Sequence, residues 1–107
     1  MIKNMNHSRF GGDKMYVILV YDISLEEKGA RVLNRVFKIC KKYLSHVQKS
    51  VFEGEITPAK LKKLEQELKE YVREDLDSVL IFKNSNKRWL TKEYIGIDGS
   101  ELVSNFF

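Results

Sequence analysis

The chain has 107 residues, 43% of them hydrophobic, and one cysteine, Cys40, which bounds it to one domain with one modest core and excludes an internal disulfide or a thiolate zinc cage. Its formal net charge is +4, unevenly spread: seven Lys or Arg against two Glu over residues 25–50, five against eight acids over 51–77, and four with no acid over 83–92. That segregation suggests a polyanion on one side and another partner elsewhere, while no apolar run has the length of a membrane span or a signal-peptide core, so a cytoplasmic protein is expected.

Residues 1–14 are polar and glycine-bearing without periodicity, and are expected to be a disordered leader to a single domain over 15–107. A first strand over 15–23, rich in Val, Ile and Tyr, ends on Asp22, the only acid between Lys14 and Glu26. The carboxyl end of a buried strand is where α/β proteins tend to place chemistry. Ser24-Leu25-Glu26-Glu27 fits a capping box and predicts a helix from there to about residue 44. Its apolar positions, Ala30, Leu33, Val36, Phe37, Cys40, Tyr43 and Leu44, recur with a 3.6-residue period. Gly29 is tolerated in its first turns at some cost.

Residues 46–56 read as extended, either one kinked strand or two short ones, with Gly54 marking a bulge or bend. Thr57 as cap and Pro58 at the first helical position start a second helix, whose buried stripe is Leu61, Leu64, Leu68, Tyr71 and Val72. A core strand follows over 77–83, a turn over 84–88, and a last extended piece over 89–97. The order favours an α+β fold, a ferredoxin-like βαββαβ sandwich with both helices on one face and an extra C-terminal strand.

Asp22 reads either as a helix cap or as a metal ligand. The second reading needs another carboxylate, which a homodimer would supply across its two-fold axis. Two carboxylates and several waters suit Mg²⁺, which keeps octahedral geometry and much of its hydration. Lys28, Arg31, Arg35, Lys38 and Lys42 fall within about an 80° arc of the first helix. The arc holds no acid, which favours a nucleic-acid backbone track over a mixed solvated face. Lys87 and Arg88 either extend that track or merely keep a turn soluble. Tyr21 and Phe52 read as core or interface rings, with base stacking as the sharper alternative. Ser50 bonds a phosphate or its own backbone. No phosphate-cradling glycine loop, HExxH or cysteine pair is present, and His7 and His46 are the only histidines.

Tyr-Asp-Ile-Ser at the end of the first strand, the basic helix with Arg31 and Arg35, and Gln48-Lys49-Ser50-Val51-Phe52-Glu53-Gly54 together resemble the CRISPR-associated protein two family. Asp-Ser-Val-Leu-Ile-Phe and Tyr94-Ile95-Gly96-Ile97 also fit, so the resemblance covers about residues 15–107. It implies a ferredoxin-like homodimer whose last strand crosses to the partner's sheet. Asp22 from each subunit would hold one shared Mg²⁺ and carry catalysis. Tyr21, Arg31, Arg35, Lys38, Ser50, Phe52, Lys87 and Arg88 would contact nucleic acid. The implied activity is a metal-dependent endonuclease on single-stranded RNA or double-stranded DNA, acting in spacer acquisition with the larger CRISPR integrase. The alternative is a non-catalytic scaffold bridging two integrase dimers. One departure is His46, where many members carry a base, so a phosphate contact there would be weaker and pH-dependent.

Overall fold

The computed structural model describes residues 13–85 and 93–96. In chain order they form β1 (Met15–Asp22), α1 (Gly29–Tyr43), β2 (Ser45–Gln48), β3 (Val51–Ile56), α2 (Pro58–Lys69) and β4 (Ser78–Asn84). The strands make one sheet in the order β2-β3-β1-β4, every neighbouring pair antiparallel. This is the expected ferredoxin-like α+β arrangement. The leader up to residue 12, the turn with Lys87 and Arg88, and most of the last extended piece lie outside the described residues. Glu93–Gly96, the described part of that piece, has no strand character.

Side-chain alternation along β1 creates the two faces. Val17, Leu19 and Tyr21 are buried and pack against Val36, Ile39 and Cys40 of α1 and Leu61, Leu64 and Leu68 of α2. Tyr16, Ile18, Val20 and Asp22 point the other way, onto a face that neither described helix covers and where Ile18 borders a cleft with Tyr94 and Ile95. There Ile18 and Val20 register with Phe82 and Leu80 of β4, which are 55% and 54% exposed. An apolar sheet face in water is unfavourable unless something covers it.

The second helix begins as its sequence implies. Thr57 Oγ1 accepts from the Lys60 backbone N–H and Pro58 occupies the first turn. Residues 46–56 resolve into two strands joined at Lys49 and Ser50, with Lys49 at φ 38°. The bulge lies in β2 between His46 and Gln48, whereas Gly54 keeps regular register with Val17.

The first helix departs from its capping signal. It starts at Gly29, after a turn in which Glu27 and Lys28 take φ of 49° and 65°. Ser24 Oγ caps nothing helical and accepts from the Glu26 N–H. The reason is tertiary: the Arg73 guanidinium binds the carbonyl oxygens of Ser24, Glu26 and Glu27 at 2.6–2.7 Å, and gathering all three on one fork fixes a non-helical turn against the local propensity. Gly29 is required at this point. A Cβ on it would stand 1.9 Å from the Ser24 carbonyl oxygen.

Candidate active site

Asp22 closes β1 and is exposed. It is the last residue paired with β4, opposite Ser78, so its carboxylate and the Ser78 hydroxyl share the uncovered face. Ser50 lies at the same end of the sheet, where its carbonyl accepts from the Tyr21 N–H at 3.1 Å. The carboxyl end of β1, the β2–β3 turn, the start of β4 and the start of α1 therefore converge. Among the described residues no three of His, Cys, Asp or Glu gather in a metal-holding group. The described residues supply neither a zinc cage nor a calcium loop. Asp22 as a lone ligand would suit only a cation that keeps most of its water, such as Mg²⁺, and then only with a second carboxylate.

Behind Asp22, and missed in the sequence, lies a clasp between Arg73 and Asp77. The Asp77 carboxylate is fully enclosed, with 0% of its side chain exposed. Its Oδ1 accepts from Ser24 N–H at 2.9 Å and from Arg73 Nη2 at 2.9 Å, and its Oδ2 accepts from Arg73 N–H and Nε at 2.8 Å. The guanidinium bonds above all, then the backbone N–H donors, hold this carboxyl down at about 2. The i, i+4 spacing of Arg73 and Asp77 was visible. The three carbonyls that complete the clasp lie 46–49 residues away in the chain and gave no signal.

Of the two readings of the aromatic rings, the structure favours core packing over base stacking. Phe52 is 0% exposed, between Tyr21, Phe37 and His46 at centroid distances of 6.0, 5.5 and 4.8 Å. It fills the core and offers no face to a base. Tyr21 is 5% exposed on the helix side of the sheet. Burial, then the Cys40 thiol, push its hydroxyl up to about 12, so it stays protonated and is no general base at neutral pH. Burial likewise lifts the Cys40 thiol to about 12, which removes it as a nucleophile. His46 also turns inward. Its ring stands edge-on to Phe37, and Nε2–H donates to the Lys49 carbonyl at 2.8 Å. It holds the β2–β3 turn and does not face the Asp22 side.

Arg31, Arg35, Lys38 and Lys42 are all exposed on α1, on the layer opposite the Asp22 carboxylate. Lys28 lies just before the helix, as its left-handed cap residue. Arg31 belongs to the first turn, at the Asp22 end; Lys38 lies about 10 Å further along the helix axis. Glu67 of the second helix and Glu70 just after it meet this stripe. Lys42 Nζ pairs with Glu67 at 2.6 Å, and the Tyr43 hydroxyl also donates to Glu67. Lys42, then Tyr43, hold the Glu67 carboxyl below its ordinary value. Arg35 lies 5.7 Å over the Tyr71 ring, and Arg35 and Lys38 border a cleft with Glu67 and Glu70. Part of the charge segregation seen in the sequence is thus answered within the molecule, across the α1–α2 seam.

A family model described as CRISPR associated protein Cas2 matches residues 15–92. The chain is 53% identical over 106 residues to the CRISPR-associated endoribonuclease Cas2 of Fusobacterium nucleatum, covering 99% of each. A solved structure described as the crystal structure of cas2 superposes with a TM-score of 0.69 at 45% identity, over 79% of this chain and 90% of that one. Streptococcus pyogenes Cas2 at pH 6.5 gives 0.65 at 31% identity, over 76% and 99%.

Proposed function

The chain belongs to the CRISPR-associated protein Cas2 family, and from that premise we propose that it is an endoribonuclease working as a homodimer, with Asp22 as the catalytic metal ligand. One observation carries the reading. Asp22 ends the strand whose outward face, with Ile18 and Val20, continues into Leu80 and Phe82. Pairing two copies through that apolar face covers it and directs two carboxylates toward one axis.

The two Asp22 carboxylates would hold one Mg²⁺, which would supply an activated water and neutralise charge on the scissile phosphate. The remaining work falls to the protein. Arg31, at the same end of the fold, draws the phosphate backbone toward Asp22. Arg35 and Lys38 continue that attraction along α1, where contacts to phosphate carry no sequence preference. The Ser50 hydroxyl, at the β2–β3 turn, is a further phosphate donor. Lys87 and Arg88, read from the sequence as further phosphate contacts, lie outside the described residues. RNA is the substrate favoured by the names of the relatives. Binding of duplex DNA and association with the CRISPR integrase in spacer acquisition belong to the same reading.

The test compares the parent and Asp22→Asn on single-stranded RNA and on duplex DNA, with Mg²⁺ or with chelator. The Asn variant should fold, dimerise and bind nucleic acid with the parent's salt dependence, and cleave neither substrate. Cleavage at the parent's rate would refute the assignment. Chelator-insensitive binding with no cleavage by the parent itself would leave a scaffold.

A further inference from the structure

We propose that Arg73 is a positioning residue for Asp22: it locks the chain that follows β1, so that the two carboxylates of the dimer meet at a fixed separation. This rests on the reading of Asp22 as a metal ligand. The guanidinium has five N–H donors in a rigid fork, and all five are engaged. Nε and one Nη2 donor go to Asp77, the other Nη2 donor to the Ser24 carbonyl, and the two Nη1 donors to Glu26 and Glu27. Asp77 Oδ1 meanwhile takes the Ser24 N–H. Ser24 is therefore held at both its amide and its carbonyl, two residues beyond Asp22. On its other side Asp22 is held by its ladder pairing with Ser78, the neighbour of Asp77 in the chain. One clasp fixes the backbone that sets the direction of the Asp22 side chain.

Two further facts make this more than general stabilisation. The strapped turn contains Glu27 and Lys28 in the left-handed region, a conformation that non-glycine residues hold only when their surroundings impose it. Released, the turn has a better local option, because its own capping box favours a helix starting at Ser24. Such a shift would rewind the residues next to Asp22. Symmetry then doubles the error: a displacement of each carboxylate from the axis changes the span between them by twice that amount. Mg²⁺ tolerates departures from octahedral geometry poorly. The same strap seats Gly29 against Ser24 and so fixes the first turn of α1, with Arg31, relative to Asp22.

The experiment uses full-length Arg73→Lys and Arg73→Gln. Lysine keeps a charge beside Asp77 but cannot reach three carbonyls with one ammonium. Mn²⁺ affinity is read by electron paramagnetic resonance without nucleic acid, as a constant per folded site. The Mg²⁺ midpoint of RNA cleavage and the urea midpoint are read alongside. Removal of a group that orients a metal ligand typically weakens binding about 10–100-fold. Both variants should show Mn²⁺ affinity and Mg²⁺ midpoint at least about tenfold weaker, with kcat at saturating Mg²⁺ within about threefold of the parent. Parent-like Mn²⁺ affinity in folded Arg73→Lys overturns the proposal, as does a loss of kcat at an unchanged Mg²⁺ midpoint. Asp22→Asn separates the two ideas. Loss of Mn²⁺ binding there, with none in Arg73→Lys, sinks the positioning role alone. Parent-like Mn²⁺ binding by Asp22→Asn removes the ligand itself and overturns both.

Discussion

Replacing Asp77 by Asn tests the clasp without altering its shape. In the parent, both carboxylate oxygens accept two N–H groups each. The amide can present oxygen to only one of those pairs, whichever way it flips, so two donors face an NH₂ group. Unmatched buried donors cost about 1–3 kcal/mol. The charge adds a pH-dependent part. The folded carboxyl lies at about 2 against an ordinary 3.8, which corresponds to about 2 kcal/mol of stability. Because the folded value is the lower one, this part is complete above about pH 4 and is lost as pH falls through 2, with about half gone by pH 3. Urea unfolding of parent and variant across that range isolates it, since the other carboxylates are common to both chains. The variant should be less stable by about 3–5 kcal/mol near neutrality, and the gap should narrow by about 1 kcal/mol at pH 3. A gap that stays constant between pH 7 and pH 3 would show that Asp77 does not hold its partners as an ion.

Leu80→Lys with Phe82→Lys should give a folded monomer that has lost RNA cleavage, measured by light scattering together with a cleavage assay; a dimer of unchanged mass would place the subunit contact elsewhere. Phe52→Ala should cost about 3–5 kcal/mol in urea unfolding, as expected for a ring with no exposed surface; weaker nucleic-acid binding at unchanged stability would restore a stacking role. Gly29→Ala forces a Cβ against the Ser24 carbonyl, at 1.9 Å before any relaxation, so cleavage should fall at least tenfold, and a variant as active as the parent would show that the loop can shift without consequence.

Local sequence signals succeeded where local forces decide. Thr57 and Pro58 start α2 because a cap side chain and a preset φ act within one turn. The alternation in β1 is a property of extended backbone, and the strand order follows from the alternation of strands and helices. The signals failed where distant groups compete. The capping box at Ser24 was overruled by a guanidinium from residue 73. Gly29, which periodicity treats as a flaw in a helix, is instead the residue that lets the helix touch the loop. Sequence left Phe52 open between core packing and base stacking, and alternation within β2 and β3 decides it by turning Phe52 and His46 toward α1.

Asp77 and Asp22, at this end of the molecule, show how one residue type divides its duties. Asp77 is enclosed and fully bonded, with every acceptor used by the protein, so it has nothing left to offer a cation. Asp22 is exposed and ends its strand on the face turned away from the described helices. Enclosure makes the first a fixed anchor, and exposure leaves the second able to bind. Asp22 closes β1 and Asp77 immediately precedes β4, beside the Ser78 that pairs with Asp22, which lets the rigidity of one serve the reach of the other. On the proposed reading, a metal ligand drawn from one acid of each subunit would need that support more than a cage of several ligands does, because among the described residues no second side chain of the same subunit would correct its position.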